Sequence, residues 1–507
     1  MAQSFCPHKR RLFMLVSLLL VALSACSQAT TQPAPTPTPP YTLAGGGSCV
    51  RLGKHAQPPF TNVRVSHDSY LAHSEPMLVE NPVNPLNLVG GSKFFTNPAK
   101  YQFQIGYYAS FDGGCTWADG GVLPGFQQRY TLTSDISFAF GARDSVYAAV
   151  LFEAAHGMSG IAVSASSDGG RTFGNPVNVF ESHENKVFSD KPWIAVDRTS
   201  GPHRGAVYVG WSYDYGGDCG EGNPCVEEIA FSRSTDGAKT FSTPRFIEGS
   251  APFCANSLPD RPPHSTRCDA AIGATPVVQP DGTLAVAFLN SYSIIAQAGR
   301  SIPDRQLVVT SSDGGTTWSA PVSIAALHDI DIYFPHEHYR NLSLPAFTAG
   351  LREGQLYITW SDLASGDADI LFSASRDGGR SWSAPLRVNN DAMHNGAEQF
   401  QPQMAVAPDG VISISFFDTR FDPTHRFIDV FLAQSTNQGT SFLANERVTS
   451  QSWNPAVDAP VDSGGSQFIG DYQGLTVDNQ FAHPFWNDTR SGSQEIFTAA
   501  VPSAPAA

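Results

Sequence analysis

Short runs in which apolar and polar residues alternate follow one another along most of the chain. This two-residue period is typical of β-strands with one buried face. The clearest pair is PWIAVD at Pro192–Asp197 and GAVYVGWS at Gly205–Ser212. Two later pairs, PQMAVAPDG with VISISFFD and NLSLPAF with GQLYITWSD, repeat this arrangement. The pattern predicts a chain built from repeated β-strands.

One octapeptide recurs six times along the chain. It reads SFDGGCTW in its first copy and SSDGGTTW in its fourth, and the copies occupy Ser110–Trp117, Ser166–Phe173, Ser234–Phe241, Ser311–Trp318, Ser375–Trp382 and Ser435–Phe442. An alternating strand precedes each copy and another follows it, and two further strands lie upstream. Each repeat is therefore predicted to be a four-stranded meander, with strands A to D and the octapeptide in the turn between C and D.

The pattern Ser-x-Asp-x-Gly-x-Thr-Trp resembles the Asp-box of bacterial sialidases and related β-propeller proteins. The resemblance implies a propeller whose blades are these meanders. In such a turn Asp and Ser hydrogen-bond the backbone, Gly allows unusual torsions, and Trp or Phe packs between strands. We therefore expect structural roles for Asp112, Asp168, Asp236, Asp313 and Asp377.

The number of first strands predicts seven blades, whereas the sialidases whose Asp-box the octapeptide resembles have six. The first strands begin near Met77, Ile136, Pro192, Ile272, Leu342, Pro402 and Tyr472. The last unit lacks a fourth strand, and Asn62–Ser66 resembles the fourth strand of another blade. We predict an all-β fold, a single seven-bladed propeller closed by this N-terminal strand, which removes open sheet edges. Six blades, with one unit as an irregular insertion, is the alternative.

The composition agrees with this fold and disfavours one class of partner. The chain has 507 residues, 45 of them Gly and 37 Pro, and only 15% are charged, which disfavours a helical protein. Its formal net charge is −15, from 31 Lys and Arg against 46 Asp and Glu. Because non-specific nucleic-acid binding needs a basic surface, we expect no nucleic-acid partner.

The N-terminal residues resemble an export signal. Lys9, Arg10 and Arg11 precede an apolar run, Leu12–Leu23, that is short for a membrane helix. Leu23-Ser24-Ala25-Cys26 resembles the lipobox of bacterial lipoproteins, which implies cleavage before Cys26 and lipidation of that residue. An extracytoplasmic, membrane-anchored protein at the cell surface or outer membrane is expected; an ordinary signal peptide is the alternative. The predicted domains are residues 1–25 (signal peptide), 26–48 (lipidated Cys and Pro/Thr-rich tether), 49–501 (propeller) and 502–507 (tail).

Six cysteines remain when Cys6 in the signal and Cys26 are set aside. An even number in an oxidising compartment predicts disulfides. Closeness in sequence favours Cys219–Cys225 and Cys254–Cys268, which leaves Cys49 with Cys115. Zinc is the rival interpretation, but no CxxC spacing occurs.

The face opposite the octapeptides is the predicted working face, because the D–A and B–C loops open there. These loops carry the acids, arginines and tyrosines that suit carbohydrate. The candidate catalytic residues are Asp190, Glu398, Asp471 and Tyr472, and the candidate substrate-binding residues are Arg340, Asp362, Asp418, Arg420, Asp488 and Arg490. The tripeptide Asp-Thr-Arg occurs at equivalent positions of two blades, ending at Arg420 and Arg490. Because a single active site would not repeat from blade to blade, a structural role for the two Asp–Arg pairs is the alternative.

These residues predict a sialidase-like glycoside hydrolase that acts on terminal, anionic glycans. Tyr472 would be the nucleophile, backed by Glu398, and Asp471 or Asp190 the proton donor. Arg340, Arg420 and Arg490 would clamp the anion. The first blade has no Arg-Ile-Pro motif of the sialidase kind, so a non-catalytic glycan- or protein-binding propeller and a polysaccharide lyase stay open.

We expect a monomer with a carbohydrate ligand, no cofactor and no metal. Two groups of residues are the nearest to a metal site. They are His336 and His338 with Asp329 or Asp331, and Asp362 with Asp367 and Asp369. Solvated, hydrogen-bonded loops are the favoured interpretation of both groups.

Overall fold

A computed structural model of the chain describes residues 58–154, 157–184, 186–216, 226–255, 265–292, 303–334, 337–461 and 467–506. The chain divides into residues 1–40 and 41–507, and every described residue belongs to the second unit. The predicted signal peptide, Cys26 and the tether lie outside the described residues. No helix in the described ranges is long and apolar enough to span a bilayer.

The described residues form seven antiparallel sheets, which are the blades of a seven-bladed β-propeller. The predicted fold class and blade number are confirmed, and the six-bladed alternative is wrong. In blade 1, strands A to D are β2 (Leu71–Asn81), β3 (Asn84–Asn97), β4 (Gln102–Ser110) and β5 (Ala118–Val122). In blade 2 they are β6 (Leu132–Phe140), β7 (Val146–Ala154), β8 (Met158–Ser166) and β9 (Val177–Ser182). In blade 3 they are β10 (Val187–Val196), β11 (Val207–Tyr215), β12 (Val226–Ser234) and β13 (Arg245–Phe246).

Blades 4 to 6 have the same order. Blade 4 contains β14 (Ala271–Val278), β15 (Leu284–Asn290), β16 (Asp304–Ser311) and β17 (Val322–Leu327). Blade 5 contains β18 (Ala346–Ala349), β19 (Leu356–Asp362), β20 (Asp369–Ser375) and β21 (Leu386–Arg387). Blade 6 contains β22 (Gln399–Val406), β23 (Ile412–Asp418), β24 (Asp429–Ser435) and β25 (Glu446–Arg447). Helix α1 (Phe126–Arg129) and 3-10 turns at Pro98–Lys100 and Pro252–Cys254 lie in the connections.

Blade 7 is closed by the N-terminal strand, as predicted. It contains β26 (Gly474–Val477), β27 (Phe481–Asp488) and β28 (Glu495–Ala499), with β29 (Val501–Pro502) beside β27. Strand β1 (Asn62–Arg64) pairs antiparallel with β28, so that Asn62 lies opposite Ala499. The pairing continues beyond β1, since the Val65 N–H donates to the Ile496 carbonyl at 2.7 Å. The ring therefore joins residues from both ends of the propeller in one sheet.

The hydrophobic core lies between neighbouring blades. Trp211, Trp360 and Trp486 stand near the ends of the B strands of blades 3, 5 and 7 and are fully buried. Trp486 shares its cluster with apolar residues of blade 6 such as Phe417. Burial of a side chain of this size stabilises the fold by roughly 3 kcal/mol, which accounts for the apolar B-strand sequences.

The octapeptides form the turns between strands C and D. In blade 2, Asp168 Oδ1 accepts hydrogen bonds from Ser166 Oγ at 2.7 Å and from the Thr172 N–H at 3.0 Å. Gly170 has φ +83°, a conformation that favours glycine. Equivalent bonds form at Asp112, Asp236, Asp313, Asp377 and, in the last copy, Asn437. The aspartates therefore hold the turns, as expected.

The disulfide Cys254–Cys268 is formed, which confirms one predicted pair. Cys115 is also disulfide-bonded, and its partner lies outside the described residues. The predicted partner Cys49 and the predicted pair Cys219–Cys225 lie there as well.

Candidate active site at the propeller axis

One position at the start of strand A is equivalent in blades 1 to 6, since it lies six residues before the point where strand A meets the A–B turn. In blade 7 its place is taken by Asp471, seven residues before the corresponding Asp478. In chain order this position holds Glu75, Asp135, Lys191, Gly273, Leu344, Gln401 and Asp471, here called the axial ring. The A–B register shifts close to it in blades 1 to 4 and 6, and in these blades φ lies between +48° and +74°. The repeated bulge belongs to the scaffold, but the residue that occupies it differs from blade to blade.

The axial ring is charged on one side and neutral on the other. Blades 7, 1, 2 and 3 supply Asp471, Glu75, Asp135 and Lys191, whereas blades 4 to 6 supply Gly, Leu and Gln. Five ring members, from Lys191 to Asp471 in chain order, line one cavity of about 20 Å³, room for about one water molecule. A scaffold feature recurs in every blade, so this asymmetry indicates function.

Two cations hold the Asp471 carboxylate. Lys191 Nζ lies 2.7 Å from Asp471 Oδ2, and Arg340 donates to the same carboxylate through Nε at 2.9 Å and Nη2 at 2.6 Å. Burial alone would raise the pKa of Asp471, but the charges of Arg340 and Lys191 hold it well below its usual range. A proton donor must be protonated before it acts, so of the two donors that the sequence suggested these charges disfavour Asp471.

Beside this ion pair, three carboxyl groups lie together, with Asp135 between Glu75 and Asp190. Ser134 Oγ donates to Asp135 Oδ1 at 3.1 Å and to Glu75 Oε2 at 3.4 Å. The Lys191 N–H donates to Asp190 Oδ1 at 2.9 Å and to Asp135 Oδ2 at 3.3 Å. Burial raises the pKa of Asp190 to about 7, and the Asp135 charge adds to the rise. Burial opposes ionisation of Asp135 as well, but the Lys191 charge and the bond from Asp190 bring its pKa to about 2.

Glu75 is the inner member of these three carboxyl groups. Burial and the Asp135 charge raise the pKa of Glu75 well above its usual range. Lys93 Nζ lies 3.8 Å from Glu75 Oε2, above the rings of Phe103 and Phe468. A carboxyl group with a lowered pKa, Asp135, thus lies between two whose pKa values are raised.

Two members of the site reach solvent. The Asp190 side chain is 19% exposed and the Arg340 side chain 39% exposed, whereas Lys191 and Asp471 are buried. In the part of the chain that the structure describes, Arg340 Nη1 has no hydrogen-bond partner. The site therefore presents one carboxyl group and one guanidinium edge to a ligand.

Tyr472 lines the small axial cavity but differs from its predicted setting. Its ring packs edge to face on Trp193 at 5.5 Å between centroids. The sequence suggested Tyr472 as a nucleophile backed by Glu398, a role that requires loss of its phenolic proton. Burial, followed by the charges of Asp135 and Glu75, instead raises the pKa of the phenol well above its usual range.

Glu398 does not pair with Tyr472. Its carboxylate accepts a hydrogen bond from the Ala368 N–H at 2.6 Å, in blade 5. Burial raises the pKa of Glu398 to about 7, and the nearby charge acting most strongly on it is that of Asp367. The predicted nucleophile pair is therefore wrong in its geometry, because these two residues belong to different environments.

Arg420 and Arg490 fold back onto the aspartates two residues earlier. Arg420 Nη2 lies 2.7 Å from Asp418, and Arg490 Nη2 lies 2.6 Å from Asp488. Arg490 Nη1 also donates to Asn62 Oδ1 at 2.6 Å and so fixes the closing strand. The three-arginine clamp is not formed, since Arg340 alone reaches the axial ring.

The three aspartates of the predicted binding set serve the blades. Asp362 and Asp488 accept hydrogen bonds from the indoles of Trp360 and Trp486 at 3.0 and 3.1 Å. Asp418 is fully buried under Arg420. These contacts account for the repetition of Asp at the ends of B strands.

The residues considered for a metal have other partners. Asp367 accepts bonds from the backbone N–H groups of Asn395 and Gly396, and Asp369 pairs with Arg387 at 2.7 Å. His336 lies outside the described residues. Among the described residues, one group of three possible ligands has its ligand atoms within 4.8 Å of one another, Glu80 with Asp478 and His483. Glu80 and Asp478 lie at the ends of A strands and His483 near the start of strand B of blade 7, away from this site.

Sequence reasoning missed Asp135 and Lys93 as site residues. Neither follows a loop motif, since each lies inside a strand. Alignment of the seven strand starts was the available signal for Asp135, because it places an acid where other blades have Gly, Leu or Gln. For Lys93 the signal was a cation within an otherwise apolar B strand.

No protein-family model matches the chain, and no curated protein matches it. Among solved structures it is similar to a Hadza microbial sialidase, with 14% identity, a TM-score of 0.44, and coverage of 82% of this chain and 73% of that one. It is also similar to an ulvan lyase (13% identity, TM-score 0.46, 73% and 80% covered). An α-L-arabinanase of Penicillium chrysogenum gives 12% identity and a TM-score of 0.43, with 87% and 98% covered. At these identities the likeness concerns the fold alone.

Proposed function

We propose that the chain is a glycoside hydrolase that acts on terminal, anionic glycans at the axial ring. The observation that carries the proposal is the group of three adjoining carboxyl groups, Glu75, Asp135 and Asp190, in which Ser134 and the Lys191 N–H bridge neighbouring members and Asp190 reaches solvent. Cleavage of a glycosidic bond is assisted by a carboxyl group that is protonated near neutral pH and can touch the leaving oxygen. The pKa of Asp190 is raised to about 7 and its side chain reaches solvent, which suits it to this role.

In this proposal Asp190 gives its proton to the glycosidic oxygen as the bond to the anomeric carbon breaks. The ionised Asp135 accepts the Asp190 hydrogen bond beforehand and so holds the acid protonated. After transfer, Asp190 is a carboxylate 3.4 Å from Lys191 Nζ, and the ammonium stabilises it. Two neighbouring carboxyl groups with separated pKa values are the arrangement that acid catalysis needs.

Arg340 is proposed to hold the anionic group of the sugar. Two of its nitrogens bind Asp471, which fixes the plane of the guanidinium. Nη1 remains for a carboxylate or sulfate of the ligand, with a charge-assisted hydrogen bond. One oriented arginine thus replaces the clamp of three that the sequence suggested.

Tyr472 remains the proposed nucleophile on the strength of its place in the axial cavity; because that cavity holds about one water molecule, the side chains that line it must move apart for the anomeric carbon to reach the phenol. Because its pKa is raised, the phenol must lose its proton as it attacks. Asp135, the carboxylate whose charge acts most strongly on it, is proposed as the acceptor in place of Glu398; as a weak base it takes the proton only while the new bond forms. The new bond joins the phenol oxygen to the anomeric carbon while the leaving oxygen takes the Asp190 proton. Water then attacks the anomeric carbon and gives a proton to Asp190, the bond to the phenol oxygen breaks, and the phenol recovers its proton from Asp135, which releases the sugar.

The proposal is tested by incubating the purified protein with oligosaccharides that end in sialic or uronic acids, and with neutral counterparts. New reducing ends without unsaturated products are expected, and their loss in Asp190→Asn. Unsaturated products would indicate a lyase, and binding without products would indicate a non-catalytic propeller.

We also propose that the octapeptide turns are Asp-boxes and that the protein is exported and anchored through Cys26. The Ser–Asp–Thr bonding of the turns supports the first statement. The lipobox-like LSAC sequence and the disulfide Cys254–Cys268 support the second, since disulfides persist outside the cytoplasm. Release of Cys26→Ser from the membrane fraction is the test of anchoring.

A further inference from the structure

A second cleft lies on the face of the octapeptide turns, between blades 4 and 5. Its volume is about 540 Å³, and every residue that lines it is polar, charged or glycine. The A–B and C–D turns of both blades form its walls, among them Asp281, Thr283, Thr310, Glu353 and Arg380. This face is opposite to the D–A and B–C loops, so the cleft is separate from the axial ring.

Gln279 at the base of the cleft has an unusual environment. The residue is 1% exposed, and neither its amide oxygen nor its amide nitrogen has a hydrogen-bond partner among the described residues. A buried amide without partners destabilises a fold, so such groups are uncommon unless a ligand or water completes them. The amide offers two donors and one acceptor to whatever enters the cleft.

The other blades do not repeat this feature. At the equivalent end of strand A, Asn81 donates to Asp144 at 2.9 Å and Asp197 accepts from the Thr199 N–H at 2.8 Å. Asp478 accepts from two backbone N–H groups, and the remaining blades have Gly141, Gly350 and Ala407 there. Asp197 Oδ2 also lacks a partner, but among the described polar residues at this position Gln279 is the one whose side chain makes no hydrogen bond at all, which is how a binding residue differs from a structural one.

The charges of the cleft indicate the kind of ligand. Asp281, Glu353 and Asp377 are offset by Arg376 and Arg380, so neither sign dominates. Within the described residues, no three acidic groups of the cleft come within 4.8 Å of one another, which disfavours a metal ion. A wall of hydroxyl, amide and mixed charged groups suits a polyhydroxylated ligand.

We propose that this cleft binds a sugar residue, with the Gln279 amide donating to one hydroxyl group and accepting from its neighbour. Arg380, which is exposed and has no ion pair in the described part of the chain, adds a donor at the rim. The site binds without cleaving, because it lies on the other face from Asp190.

The test measures binding of galactose, N-acetylglucosamine and glucuronic acid, free and as disaccharides, by saturation-transfer NMR and calorimetry. Gln279→Leu should weaken the binding of at least one of these sugars about tenfold, the effect of losing one or two good hydrogen bonds. The Gln279→Leu substitution should not lower the melting temperature, since it removes a buried amide that has no hydrogen-bond partner and replaces it with an apolar side chain. Glycan cleavage at the axial ring should stay unchanged, which separates this proposal from the proposed function.

A matched pair of surface variants keeps the test decisive if Gln279→Leu does not fold. Arg380 and Lys239 occupy the same position of the octapeptide in blades 5 and 3, and both are exposed. Arg380→Ala should weaken sugar binding severalfold, and Lys239→Ala should leave it unchanged. The proposal is overturned if none of the sugars binds the wild type, or if the cleft variants bind as the wild type does.

Discussion

The closing strand offers a quantitative test of the fold through Val65→Ala. Val65 follows β1 and is fully buried in a cluster with Leu88, Trp117 and Phe485. The substitution removes two methyl groups, about 0.8 kcal/mol each in transfer free energy. A remaining cavity on the order of 50 Å³ adds about 1 kcal/mol at ~24 cal/mol per Å³. We expect the free energy of unfolding to fall by about 2 to 3 kcal/mol.

Urea unfolding followed by far-UV circular dichroism and by tryptophan fluorescence measures this loss. Because one sheet joins both ends of the propeller, the two signals should shift to lower urea together. Val83→Ala is the matched control, since Val83 is 71% exposed and the same change should cost less than about 0.5 kcal/mol. A Val65→Ala protein that unfolds at the wild-type urea concentration would refute the closure as a source of stability.

Three further predictions concern the charged groups and the axial tyrosine. Lys191→Met should lower the free energy of unfolding by about 3 to 5 kcal/mol at pH 7, since buried carboxylates lose their cation. The deficit should shrink as pH falls, because the depressed pKa of Asp471 contributes stability only while that group is ionised. A deficit that does not change with pH would contradict this prediction. Arg490→Ala should lower the free energy of unfolding, measured by chemical denaturation, by about 3 kcal/mol, because Asp488 and Asn62 lose their contacts with the guanidinium. The kcat/KM per folded molecule should not change. A changed KM with intact stability would instead support Arg490 as part of the predicted anion clamp. Tyr472→Phe should lower glycan turnover at least a hundredfold with an unchanged Tm, and full activity would remove Tyr472 from the mechanism.

Blade number and ring closure were predictable because each depends on local repetition. The octapeptide needs only its own Ser, Asp and Gly to form a turn, so its six copies mark the blades wherever they occur. The Asn62–Ser66 strand was recognisable because it resembles the fourth strand of another blade. Both inferences compare like segments and need no knowledge of distant contacts.

The site was only partly predictable because it joins residues far apart in the chain. Arg340 and Asp471 are 131 residues apart, and their pairing depends on how the loops cross the axis. Arg420 was placed on the correct face, but an Arg two residues after an Asp can fold back onto it, and burial of Asp418 favours that local pair. Asp190 could be proposed from its loop position, whereas its neighbour Asp135 required the strand alignment.

The central claim is that Asp190 is a general acid, and the pH dependence of kcat/KM for wild type and Asp190→Asn tests it most directly. Because burial raises the pKa of Asp190 to about 7, wild-type kcat/KM for an anionic glycan should fall as pH rises through about 7. Asp190→Asn, which keeps the size of the side chain, should lose about 10² to 10⁴ in turnover and lose this pH limb. Wild-type activity in Asp190→Asn, or an unchanged limb near pH 7, would contradict the account.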